Sequence, residues 1–150
     1  MSELTDADVA DLLQLNKHID ISENYTFPTL GEQINIPLLS EDKREKFFLD
    51  ISRGSINLNR VTFQTRAKVI FPLVRLDIDG RPHRNPDGSE IGVPHVHIYK
   101  HGYADKWAYS PVDIFGEAYE QAANMVERLD IFMNFCNIAT RPEIEGDLFT

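Results

Sequence analysis

The sequence predicts an α+β domain: an antiparallel sheet of about five or six strands, an N-terminal helix, and a long C-terminal helix packed on one face. Three observations predict it. Apolar residues recur at helical spacing near both ends of the chain; between them the pattern shortens to the two-residue alternation of strands, broken by turn residues. The length of 150 residues, 42% of them hydrophobic, suits one domain with a real core, so residues 1–150 are read as a single unit with its core over about 5–140 and a loosely held tail at 141–150.

The elements follow in order. "LTDADVADLLQLNKHID" opens with Thr5 and Asp8 at capping-box spacing and carries Val9, Leu12 and Leu13 on one face, the mark of a short amphipathic helix. Pro28 and Gly31 end that pattern. "QINIPLLS" and "REKFFLDISRG" then read as a strand pair joined through the polar "EDK" region. "NRVTFQTRAKVIFPLVRLDIDG" is too long for one strand, and Pro72 cannot donate to a ladder, so two strands with a break or bulge near Ala67–Pro72 are expected. The second of them places Phe71, Leu73, Arg75 and Asp77 on one face and Val74, Leu76 and Ile78 on the other. "GRPHRNPDGSEIG" is dense in turn residues and predicts a hairpin into "PHVHIYK", and "DKWAY" is a final short strand. Beyond Pro111, the spacing of Tyr119, Ala122, Val126, Leu129, Met133 and Cys136 predicts the long helix, with Cys136 as a small core residue.

Charge is unevenly spread. The chain carries a net −9, yet residues 41–106 hold twelve Lys or Arg against nine acids, while both flanks are strongly acidic. The total argues against a generic nucleic-acid binder; the basic centre offers a local cationic surface to an anionic ligand, or is salt-bridged by its acidic helices. A single cysteine excludes an internal disulfide, the start "MSELTDADVADLL" lacks the basic and apolar run of a secretory signal, and no stretch approaches the roughly 20 apolar residues of a membrane span. The expected setting is cytoplasmic, with no membrane partner.

Four of the five histidines fall within Arg81–Tyr109. Strand alternation in "PHVHIYK" puts His95, His97 and Tyr99 on one face and Val96 and Ile98 on the other, so the imidazoles project away from the covered apolar face. Alternate strand residues lie roughly 6.5–7 Å apart at Cα, within reach of one ion or phosphate. Asn85-Pro86-Asp87-Gly88 is a turn by mechanism, and it carries His83 back towards the pair.

Three readings compete. Metal binding would use His83, His95 and His97, with Asp77 or Asp87 as a carboxylate. Metal-free acid/base chemistry on a phosphodiester would use the same imidazoles, with Arg66 and Arg75 as the anion site. A polar-aromatic surface of Tyr99, Tyr103 and Trp107 would instead grip a protein partner. His18 reads as a surface helix residue and His101 as part of the "KHGY" turn, without a role.

At "HRNPDG", "HVHIY", "DKWAYSPVDI" and "FMNFCNI" the chain resembles a family of short bacterial and prophage-encoded proteins of unknown function, over roughly residues 45–142, with Cys136 as a departure. The resemblance implies a mobile-element setting, in which small proteins act as toxins, antitoxins or inhibitors of host defence, and it supplies no activity. The leading expectation is a histidine-dependent, toxin-like protein acting on RNA or another phosphodiester through His83, His95 and His97, needing no cofactor unless these histidines hold a divalent metal. The alternative is a non-enzymatic antitoxin or an anti-CRISPR-like inhibitor whose acidic helices occupy a protein partner.

Overall fold

A computed structural model describes residues 3–146. The first helix, α1 (Asp6–Gln14), forms where its capping box requires: the Asp8 N–H donates to Thr5 Oγ1 and the Thr5 N–H donates to Asp8 Oδ2, each at 3.0 Å. This reciprocal cap contributes on the order of 1 kcal/mol. Val9 and Leu12 are the residues α1 buries. The chain then enters β1 (Lys17–Ile19) and β2 (Asn24–Thr26), so His18 lies on a strand and not on the helix.

The main body is one antiparallel sheet. Strands β3 (Gln33–Ser40), β4 (Lys46–Arg53), β5 (Val61–Ala67) and β6 (Phe71–Asp77) run as a meander. Beyond them lie β7 (His83–Arg84), β8 (Glu90–Ile91), β9 (His95–Ile98) and β10 (Ala108–Tyr109). Seven of these strands join in the order β1-β3-β4-β5-β6-β9-β10, more than the five or six expected. Asn-Pro-Asp-Gly closes a separate small hairpin of β7 and β8, not one leading directly into β9, which pairs with β6 instead.

Register divides the sheet into two faces. Ile36, Leu49, Thr65 and Val74 stand opposite one another across β3 to β6, and Ile51, Phe63, Leu76 and Val96 do so across β4 to β9. All eight are fully buried. At about 1.5–3 kcal/mol for each large apolar side chain removed from water, this face dominates the core.

Between β5 and β6, Thr65 faces Val74 but Arg66 faces Pro72, which leaves Leu73 as the extra residue of a bulge. Simple alternation therefore fails at Leu73. It is buried with Val74 rather than sharing the face of Arg75 and Asp77, as local twisting at a bulge permits.

The long C-terminal helix is not formed. In its place come α2 (Pro111–Phe115), α3 (Ala118–Gln121) and α4 (Met125–Phe135). Gly116 takes φ 83° and ends α2; Ala122 is extended; Asn124, at φ −154°, starts α4 by accepting the Glu127 N–H at 2.9 Å. The break shifts the register, so Met125 is buried and Val126 is 39% exposed. Leu129, Phe132, Met133 and Cys136 still face the core, with the Phe132 and Phe63 rings 5.9 Å apart.

The tail is also more ordered than expected, because β11 (Glu143–Glu145) pairs in parallel with β2; the last residues of the expected loose segment, 147–150, lie outside the described residues. Among the described residues no helix is long and apolar enough to cross a membrane.

Candidate functional site

The face of the sheet opposite the core is polar. One row runs Gln33, Ser52, Thr62, Asp77, His95 and the next runs Asn35, Asp50, Gln64, Arg75, His97, each residue opposite its neighbour in the adjacent strand. Because residues i and i+2 share a face, β6 presents Asp77 and Arg75 directly to His95 and His97 of β9. The sequence leaves these imidazoles uncovered, but His95 and His97 are only 3% and 2% exposed. His83 folds over them, with ring centroids 4.7 Å from His97 and 5.9 Å from His95; the His95 and His97 rings are 4.9 Å apart. The three imidazoles expected from the sequence do converge.

Their tautomers follow from their partners. A backbone carbonyl only accepts, so a ring nitrogen in hydrogen-bond contact with one must carry a proton. His95 Nδ1–H donates to the Gly92 carbonyl at 2.9 Å, and His97 Nδ1–H donates to the Asp105 carbonyl at 2.8 Å. Both rings therefore turn Nε2 inward. His95 Nε2 lies 3.1 Å and His97 Nε2 3.2 Å from the same oxygen, Asp77 Oδ2. His97 Nε2 is not in line with that oxygen and is buried with no hydrogen-bond partner. His83 takes the opposite orientation, its Nε2–H donating to the Lys106 carbonyl at 2.6 Å, which leaves Nδ1 as its acceptor.

Asp77 is the hub. Its other oxygen, Oδ1, accepts from Thr62 Oγ1 at 3.1 Å and from Arg75 Nε at 3.2 Å. Burial alone would raise its pKa, but Nε2–H donation from His95 and His97 in their doubly protonated form, together with the Arg75 charge, outweighs burial and holds the carboxyl far below the usual carboxylate range. Arg75 is itself fixed by Asp105 Oδ2, 2.9 Å from Nη1. Asp105 thus orients His97 through its main chain and Arg75 through its side chain.

Above this floor is a cleft of about 430 Å³ lined by Arg60, Thr62, Arg75, Asp79, Arg81 and His83 in addition to the buried cluster. Gly80, at φ +132°, lets the chain turn closely past Arg60: a Cβ there would stand 3.2 Å from Arg60 Nε. Neither Arg60 nor Arg81 takes part in an ion pair among the described residues, so both guanidiniums remain to face a ligand.

Other expected residues lie elsewhere. Arg66 does not reach the cleft: it grips Asp50 through Nε at 2.6 Å and Nη2 at 2.8 Å, donates to the Val69 carbonyl, and lies over Phe48. Tyr99 turns inward, 5% exposed, with its ring edge-on to Phe71. Tyr103 is 42% exposed and packs edge-on against the half-buried Trp107. Asp87 is spent within its own turn, accepting from the Ser89 N–H and hydroxyl. Arg60, Arg81, Thr62 and Asp105 had no signal in the sequence beyond membership of the basic central block, since only strand pairing and loop return bring them to the imidazoles.

The molecule is thus an α+β protein whose seven-stranded sheet carries its core on one face and a buried histidine–aspartate cluster on the other. The chain belongs to the family of unknown function DUF6978, whose family model matches residues 4–138. That agrees with the resemblance to a family without an assigned activity. No curated protein and no solved structure matches the chain.

Proposed function

We propose that the cleft acts on a phosphodiester, with RNA as the substrate class. The observation carrying this reading is that three imidazoles and the two ion-pair-free arginines, Arg60 and Arg81, line one cavity on the polar face of the sheet. Phosphate needs planar cationic donors to hold it and a group that takes up or gives a proton to move it through reaction. Arg60 and Arg81 supply the first. His83 supplies the second: it is the only one of the three imidazoles that is not buried, and its Nδ1 acts as base once Nε2–H is held by Lys106. His95 and His97 serve below it as fixed parts of the floor, because their Nδ1 protons are committed to main-chain carbonyls.

Incubation of the purified protein with a single-stranded RNA oligonucleotide is expected to give cleavage that falls by about 100-fold or more in His83→Ala, the usual scale for losing a general acid or base. RNA left intact by the wild-type protein sinks the reading. The non-enzymatic alternative is supported by the exposed Tyr103 beside Trp107, with Lys100 Nζ 5.8 Å from the Trp107 ring centre. It expects a protein partner whose binding ignores His83→Ala and weakens in Tyr103→Ala.

A further inference from the structure

We infer that Asp77, His95 and His97 form a binding site for one divalent transition-metal ion. The inference goes beyond the phosphodiester reading and stands without it.

The Nε2 atoms of His95 and His97 and the carboxylate of Asp77 all lie within 4.8 Å of one another. Oδ2 is 3.1 Å from one imidazole nitrogen and 3.2 Å from the other. Ligand atoms held at about 2.1 Å from a common ion are separated by about 3.0 Å at a right angle and about 3.4 Å at the tetrahedral angle, so both spacings fall in the range of neighbouring ligands.

The nitrogens carry the matching electronic state. Each ring is fixed by an Nδ1–H bond to a main-chain carbonyl, at Gly92 and Asp105, which leaves a lone pair on each inward Nε2. This is the outer shell of hydrogen bonds that ligating histidines show, and Thr62 and Arg75 provide the same service for Asp77. Without a cation, neutral rings would direct two lone pairs against a carboxylate oxygen in a buried setting, a repulsive arrangement.

The His97 Nε2, in a residue only 2% exposed, stands 3.2 Å from Asp77 Oδ2 but out of line with it and without a hydrogen-bond partner. An ion reached by all three groups satisfies it.

Two imidazoles and one carboxylate form a mixed nitrogen and oxygen set suited to Zn²⁺, Co²⁺, Mn²⁺ or Fe²⁺ rather than to Ca²⁺, and three protein ligands leave positions open. Those positions face the cleft with His83, which is not one of the three ligand groups and keeps its Nε2 on Lys106. A bound ion there would polarise a phosphoryl oxygen or activate water.

The test uses chelator-stripped full-length protein titrated with Co²⁺ and with Zn²⁺, followed by calorimetry, by the visible Co²⁺ spectrum and by thermal melting. One ion is expected per chain, with a rise in melting temperature. Affinity is expected to drop about 100-fold or more in His97→Ala and in Asp77→Asn, two variants offered so that one folded example suffices, with folding checked by circular dichroism. His83→Ala is expected to keep the ion. Stripped, folded wild-type protein that takes up no stoichiometric metal overturns the inference, as does Asp77→Asn binding as tightly as wild type. Protein that binds the ion and leaves RNA intact keeps the inference and removes the phosphodiester reading; protein that cleaves RNA and takes up no metal does the reverse.

Discussion

The Lys17 junction and the histidine cleft each shut a basic nitrogen away from water, and they treat it in opposite ways. Lys17 is fully buried where the C-terminal ends of α1 and α4 meet. Its ammonium has three protons and three acceptors: the carbonyls of Cys136 at 2.7 Å, Leu15 at 2.9 Å and Leu13 at 3.2 Å. These are carbonyls that helix ends leave free, at the negative end of each helix dipole. Phe47 closes the site, its ring centre 4.7 Å from Nζ. In the cleft, by contrast, the buried His97 Nε2 has no hydrogen-bond partner. A burial whose donors and acceptors balance is architecture; one left with a surplus lone pair is a place for something else to bind.

The largest expected effect breaks the balanced side. Lys17→Met keeps the apolar stem but strands the Leu15 and Cys136 carbonyls, while Leu13 keeps its second donor, Asn137 Nδ2 at 2.8 Å; it is expected to cost about 2–5 kcal/mol, the scale for two buried acceptors left unpaired. Urea denaturation measures it. A loss below about 1 kcal/mol, the scale of one ordinary hydrogen bond, would mean that the junction is not held by this ammonium.

The same residue gives the protein an unusual alkaline response. Burial pulls Lys17 down to about 8 from an ordinary 10.5, and pushes the neighbouring Cys136 thiol up to about 11 from 9.0. Between those limits the unfolded chain holds the lysine proton longer than the native state does, so the lysine contribution to stability rises as pH climbs from about 8 to 10.5. The thiol acts the other way: the unfolded chain loses its proton first, and stability falls from about pH 9 to 11. Of the two, the lysine alone responds between pH 8 and 9. The urea midpoint is expected to rise there in the wild type and to lose that rise in Lys17→Met.

How much of this was legible in the sequence depends on the range of the interactions involved. Thr5 and Asp8 cap α1 through bonds three residues apart, and the alternation in "HVH" places His95 and His97 together without reference to any other strand. The Asn-Pro-Asp-Gly turn was legible for the same reason, although the hairpin it closes is its own. The pairing of Asp77 with His95 was not, because it depends on the partner chosen by β6 and on a bulge that turns Leu73 out of the simple pattern. Lys17 was invisible as a junction, since its acceptors include a carbonyl 119 residues away. The long helix failed for a local reason that the apolar spacing concealed: Gly116 and the Asn124–Glu127 pair carried their own signals for a stop and a start.

A smaller effect sharpens the cleft side. Gly80→Ala places a methyl group on a backbone at φ +132° and against Arg60 Nε at 3.2 Å. The expected cost is about 1–3 kcal/mol from the strained conformation. RNA affinity is expected to fall as Arg60 shifts, with the ion at Asp77, His95 and His97 retained. Filter binding beside a metal titration separates the rim of the cleft from its floor; metal loss in Gly80→Ala would show that the two are not independent.

The smallest expected change in stability is the most pointed. His97→Leu removes one hydrogen bond, from Nδ1 to the Asp105 carbonyl, worth about 0.5–1.5 kcal/mol. It also removes a buried nitrogen with no partner, whose desolvation costs about 1–3 kcal/mol. These terms oppose each other, and leucine keeps apolar bulk beside Arg75, so the metal-free protein is expected to stay within about 1 kcal/mol of wild type in urea. Ion binding is expected to disappear in the same variant. If His97→Leu instead unfolds as readily as Lys17→Met, the imidazole is part of the architecture after all, and the contrast between the two buried nitrogens collapses.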